Sequence, residues 1–229
     1  MLSLANKLGL SDTTKDSYSM QFNGTTQSVS VDNLAGDMDE AKGTIAAWIN
    51  LNTVSASVQV LKSKVDSNNF IQLFYHAGSN EMRIVYKGGG AAESAVMTDA
   101  LEGQGWKHIV CTWDTTEDEI KIYLNGTLKG TTGSLGTFSG SLSEADIGQN
   151  TTDGAYWNGK LDEVAVFTEV VSATTLYNGG SPVDLTGITG LIGYYKFEEG
   201  SGTSQTFDSS GQGNTGTLNN SPTYSTDTP

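Results

Sequence analysis

Glu119-Ile120-Lys121-Ile122-Tyr123-Leu124-Asn125-Gly126 decides how this chain is read. Ile120, Ile122 and Leu124 alternate with charged or amphipathic neighbours, the period-two pattern of a strand with one buried face. Asn125-Gly126 then accepts positive φ at both positions, which a tight two-residue hairpin requires. Working outward, residues 107–114 form another strand, with Ile109, Cys111 and Trp113 sharing a face. Residues 43–51 put Ile45, Ala47, Ile49 and Leu51 on one face and Trp48 on the other. Further strands are expected at 28–31, near Val58 and Val60, at 70–75 and 81–86 across a turn at Gly78-Ser79-Asn80, and at 142–147, 158–167 and 191–197. Roughly a dozen strands at this spacing predict two stacked antiparallel sheets. Helical spacing is convincing only at 172–179, with Ser172 as N-cap and Gly179 as the stop.

Composition agrees with short strands joined by polar turns. The 229 residues include 28 Gly and 3 Pro, and only 36% are hydrophobic. Against 26 acids stand 12 Lys and Arg, a net charge of −14. That surface argues against nucleic acid and anionic membranes, both of which need cations on the protein. It suits a self-repelling soluble protein, or one that meets Ca²⁺. Cys111 is the single cysteine, so neither an internal disulfide nor a cysteine zinc site is expected. Its place in a strand predicts a buried, inert thiol. No apolar run approaches a membrane span, and residues 1–8 lack the apolar core of a signal peptide.

Tyr18 to Gly24 followed by Ser28-Val29-Ser30-Val31 resembles the opening of a laminin-G-like, concanavalin A-like jelly roll. Thr44-Ile45 with Ala47-Trp48-Ile49 resembles that family's next strand. Trp106-Lys107-His108-Ile109-Val110 with Ile122 to Gly126 resembles its central hairpin, and Asn158 to Phe167 with the Ser172 helix its closing strand. The resemblance implies an all-β antiparallel sandwich with one short helix. Gly190 to Gly202 and Asp208 to Leu218 resemble segments that usually open such domains, yet here they come last. Either they begin a second, truncated domain or they complete the first in permuted order. The permuted reading is preferred, because the chain ends too soon after Leu218 for a second core. The expected organisation is an arm at 1–17, the jelly roll at 18–180, a connector at 181–189 and a C-terminal segment at 190–229.

Enzymatic chemistry is not expected. Hydrolases of the resembled family display Glu-x-Asp-x-x-Glu on one strand, and no such spacing of acids is read within an apolar strand here. Glu117-Asp118-Glu119 sits at a turn, Glu198-Glu199 at a strand end, and Asp162-Glu163 are adjacent, so they should point to opposite faces. No Gly-x-Ser-x-Gly, His-Glu-x-x-His or phosphate-binding loop occurs.

The resemblance implies a structural calcium held by the loop Asp208 to Asn214 together with Asp162, giving Asp208, Asn214 and Asp162 as ligands; Asn23 stands where the family more often has Asp. The alternative is an Asx-turn loop in which Asp208 caps backbone amides. Asp153, Tyr156 and Trp157 are candidate glycan contacts, as are Tyr75 and His76; a half-buried Trp157 is the competing reading. Leu2, Leu4, Leu8 and Leu10 precede the first strand and need a cover, which suggests an arm that docks on another subunit. The permuted order resembles structural proteins of marine tailed phages. A non-enzymatic exterior component of a virion is therefore expected, partnered by virion proteins or copies of itself. The alternative is an extracellular carbohydrate-binding module.

Overall fold

The computed structural model describes residues 16–150 and 154–229. The arm leucines Leu2, Leu4, Leu8 and Leu10, and Asp153, lie outside the described residues. In chain order the elements are β1 (Ser19–Asn23), β2 (Ser28–Ser30), α1 (Asp32–Asp37), β3 (Lys42–Leu51), β4 (Val58–Asp66), β5 (Asn69–His76), β6 (Glu81–Gly88), β7 (Ala91–Met97), β8 (Lys107–Asp114), β9 (Glu119–Leu124) and β10 (Thr127–Thr132). They continue with β11 (Glu144–Ile147), β12 (Gln149–Asn150), β13 (Ala155–Tyr156), β14 (Asn158–Phe167), α2 (Ala173–Tyr177), β15 (Leu191–Tyr195), β16 (Gln205–Thr206), β17 (Gly216–Asn219) and β18 (Thr223–Ser225).

Two eight-stranded antiparallel sheets make the sandwich. The first runs β10-β9-β8-β3-β14-β1-β18, with β15 also paired to β14; the second runs β16-β17-β2-β11-β4-β5-β6-β7. The β9–β10 turn forms as its sequence requires: Asn125 and Gly126 have φ of +50° and +74°, and Leu124 pairs with Thr127. The inner faces meet in one core. Ile45, Ala47, Ile49, Leu51, Ile109, Cys111, Trp113, Ile120 and Ile122 contribute from the first sheet; Leu61, Ile71, Leu73, Met82 and Ile84 contribute from the second. Each fully buried Ile, Leu or Met among them stabilises the fold by about 1.5–3 kcal/mol. Burial pushes the Cys111 thiol well up, which keeps it protonated.

A second, smaller core covers the outward face of the first sheet. Ala46, Val110, Ala165 and Phe167 lie there beneath Ala173 and Leu176 of α2 and Leu185 of the connector. Trp48 shares this covered side: its ring lies 4.9 Å from His108 and 5.9 Å from Tyr177. The end of α2 differs in detail from the sequence reading. The Ser172 hydroxyl meets that of Thr174 at 2.8 Å and makes no cap to the backbone, and Asn178 takes the left-handed position before Gly179. Helix α1 escaped notice because Asp-Asn-Leu-Ala-Gly-Asp carries no helical apolar repeat.

The tail is woven into both sheets. β15 pairs with β14, β17 with β2 and β18 with β1. Tyr195 and Phe197 enter the main core, while Leu191 joins Tyr194 in the outer one. Simple alternation would have put Leu191 with Tyr195 and Phe197. The ladder slips between Val166–Gly193 and Phe167–Leu191, and that bulge turns Leu191 outward. Among the described residues no helix is long and apolar enough to cross a membrane.

Candidate functional site

The outward face of the second sheet is where rings and polar groups meet solvent together. On β5, Ile71, Leu73 and Tyr75 point inward, leaving Phe70, Gln72, Phe74 and His76 on the other side, each partly exposed. Register then fixes their neighbours. Phe70 lies between Lys64 and Lys87, Gln72 between Lys62 and Val85, and Phe74 between Gln59 and Arg83. Lys62 Nζ stands 4.6 Å from the Phe70 ring centroid and Lys87 Nζ 5.6 Å from it. Lys62 also donates to Asn150 Oδ1 at 3.0 Å, which ties the β12–β13 hairpin to this face. A second network fixes the far end. His76 Nδ1 meets Ser79 Oγ at 2.8 Å, Ser79 donates to Glu81 at 2.8 Å, and Arg83, the only arginine in the chain, pairs with Glu81. The Ser79 hydroxyl, and next to it Arg83, hold the Glu81 carboxyl below its usual range.

Two acids on this face were missed in the sequence. Glu144 and Asp146 alternate outward on β11, opposite Lys64 and Lys62. Burial, reinforced by the charges of Asp32 and Glu144, pushes Asp146 up to about 6. The signal was Glu144-Ala145-Asp146-Ile147-Gly148-Gln149, which has two of the three acids of the hydrolase pattern and glutamine at the third place.

The expected glycan contacts fare differently. Trp157 is fully buried in the main core, its Nε1 donating to Lys160 O at 3.2 Å, so it cannot stack on a ligand. Tyr75 is buried as well. Tyr156 stays partly exposed on β13, paired with Gln149, and the hairpin packs beside β4.

The three expected calcium ligands divide between two places. Asp208 accepts from Tyr194 N at 2.9 Å, Ser210 N at 2.8 Å, Ser210 Oγ at 2.7 Å and Asn214 N at 2.9 Å. Four donors use its lone pairs, so Asp208 organises the loop. Asn214 donates to Asp37 at 2.9 Å and to Ile192 O at 2.8 Å, which fastens that loop to α1 and β15. Asp162 instead meets Asp16 and Glu163, with one carboxylate oxygen of each lying within 4.8 Å of the others. The expectation that Asp162 and Glu163 face opposite ways fails because the ladder shifts between Asp162 and Ala165 and Glu163 adopts φ of +49°. Both oxygens of Asp16 and Oδ2 of Asp162 are buried without a partner. Burial raises all three acids, Asp16 to about 6, Glu163 to about 7 and Asp162 well above its ordinary range. Two carboxylates bond one another only through a proton, so without a cation the cluster must hold protons. Buried, orphaned hard oxygens are the donor set that Ca²⁺ takes, and they fit it. When bound, the ion would neutralise this cluster and fasten Asp16 to β14.

A family model described as the concanavalin A-like lectin/glucanases superfamily matches residues 23–176, well over half of the chain. The chain belongs to that superfamily. As a concanavalin A-like domain it is similar in structure to a candidate carbohydrate-binding protein from Bacteroides ovatus, with a TM-score of 0.68 and 19% identity over 92% of this chain. The chain spans 60% of that protein's length. It is also similar to the Ruminococcus gnavus IT-sialidase CBM40 bound to α2,3-sialyllactose, with a TM-score of 0.58 and 13% identity over 70% of this chain and 95% of that one. A third likeness is to domain 4 of AbnA, a GH43 extracellular arabinanase from Geobacillus stearothermophilus, in complex with arabinotriose; the TM-score is 0.53, with 15% identity over 62% and 67% of the two chains. At these identities the likeness is one of fold. No curated protein matches the chain.

Proposed function

We propose that this concanavalin A-like domain binds glycan, without cleaving it, on the outward face of β4, β5, β6 and β11. The observation that carries the reading is the pair of partly exposed rings Phe70 and Phe74, alternating with Gln72 on one strand and flanked by the partly exposed Lys64, Lys87 and Arg83 and the exposed Glu144. A phenyl face attracts the C–H surface of a sugar ring, while amide, ammonium and carboxylate groups bind its hydroxyls. The fold likeness to carbohydrate-binding domains supports this reading. Gln149, standing where the hydrolase pattern would have its last acid, supports binding without hydrolysis. Such a domain acts where glycan is displayed, outside the cell or at a surface. The virion-exterior role rests on family resemblance and on an arm outside the described residues, and the geometry of β5 supports the glycan role in its place. The test is a glycan array followed by chromatography of the bound oligosaccharide, which should be retained and recovered intact.

Calcium belongs to the same proposal as a structural ion. Its ligands are Asp16, Asp162 and Glu163, with Asp208 and Asn214 serving the neighbouring loop.

A further inference from the structure

Phe207 is 59% exposed, the most exposed large hydrophobic side chain among the described residues. It follows β16 and lies in the C-terminal segment, beyond residues 23–176 that the family model matches. Its backbone is held tightly. The Glu199 carboxylate accepts from Phe207 N at 2.6 Å and from Thr206 Oγ1 at 3.0 Å, and its other oxygen accepts from Tyr224 OH at 3.1 Å. On the other side Asp208 is fastened to Tyr194 N. A ring presented to water from a backbone anchored on both sides keeps a fixed place on the surface and is not a frayed tip. It borders a cleft of about 400 Å³ lined also by Lys196, Glu198, Glu199, Ser201, Thr203 and Ser209. One aromatic face, hydroxyls, an ammonium and two carboxylates around a small cleft are the groups that recognise a sugar: an apolar plane for its C–H face and convergent polar groups for its hydroxyls.

We infer that the Phe207 cleft is a second sugar-binding site, separate from the β5 face and built by the C-terminal segment. In the second sheet β16 stands five strands from β5, about 24 Å at the usual strand spacing. One polysaccharide engaged at both points is held more tightly than either site holds a short oligosaccharide, because the second contact becomes intramolecular. Anchoring of the backbone on both sides of the ring before the ligand arrives lowers the ordering cost of binding.

The test is backbone amide NMR of the whole chain with galactose, N-acetylglucosamine, arabinotriose and α2,3-sialyllactose added separately at millimolar concentration. At least one sugar should shift the amides of residues 199–209. Phe207→Ala should weaken that sugar at this site at least tenfold with an unchanged melting curve, and Phe207→Tyr should retain it. Shifts at residues 70–76 report the β5 face separately, so each site fails or stands by itself. Three outcomes overturn the inference: no sugar moves residues 199–209; the shifts persist in Phe207→Ala; or deletion of residues 2–10 moves the same amides before any sugar is added, which would make the chain's own leading segment the occupant.

Discussion

Asp162 and Glu163 are consecutive residues of one strand, yet their carboxylates lie on the same side of the sheet, with oxygens within 4.8 Å. A bulge and a left-handed Glu163 at φ +49° produce this geometry. A non-glycine residue held there costs on the order of 1–3 kcal/mol. Hydrogen bonding of Tyr194 OH to Glu163, beneath the covered outer face, holds the arrangement in place.

Calcium should raise the melting temperature of the wild-type protein. A ligand that binds only the native state stabilises it by about 2.7 kcal/mol at a hundred times its dissociation constant. Asp162→Asn should abolish the response, and should itself stabilise the metal-free protein at neutral pH by removing a buried carboxyl that must take up a proton on folding. A melting curve indifferent to both calcium and chelator would leave the cluster as a set of protonated carboxyls.

Without metal, the cluster should make stability fall as pH rises. Glu163 and Asp16 hold protons in the native state up to about 7 and about 6, whereas the unfolded chain releases them near 4. The native state therefore binds more protons across roughly pH 4 to 7, and stability is lost through that window. Buried His108, pushed down to about 4, works in the opposite sense below its ordinary value. The informative quantity is thus the difference between wild type and Glu163→Gln in chelator. That difference should turn against the wild type between pH 4.5 and 7.5, at up to about 1.4 kcal/mol per pH unit. A difference that does not change with pH would contradict the account.

Removal of the tail should unfold the sandwich. Phe197 is fully buried in the main core, and Phe197→Ala should cost about 3–5 kcal/mol in chemical denaturation. Truncation after Pro182 removes partners of β14, β2 and β1 together, so the product should aggregate. A soluble truncated chain with a cooperative melt would show that the segment is dispensable.

The alternating faces of β5 and β9 were legible because each buries one side and wets the other, β3 and β8 because their apolar residues recur at period two although both faces are covered, and the Asn125-Gly126 turn because its two φ values demand those residues. What escaped was local departure from that regularity. Bulges at Glu163 and near Ile192 redirect carboxylates and a leucine without changing composition, so period-two reading put Asp162 and Glu163 on opposite faces. Strands of two or three residues, such as β13 and β16, are too short to show alternation. Trp157 looked like a loop aromatic because Gly154 and Asn158 flank it, yet its indole fills the core. Phe70 and Phe74 were read as strand residues, and only the register against β4 and β6 shows that they share their solvent face with Lys64, Lys87 and Arg83.

The most direct measurement is the affinity of Phe74→Ala and of Phe70→Ala/Phe74→Ala, by calorimetry, for the glycan that the wild-type protein retains on an array. Both side chains are only partly buried on the outward face, so the variants should melt close to the wild type. The account predicts a loss of at least tenfold in affinity for the single variant and no measurable binding for the double one. A double variant that binds the same glycan with wild-type affinity, or a wild-type protein that retains no glycan at all, would contradict it.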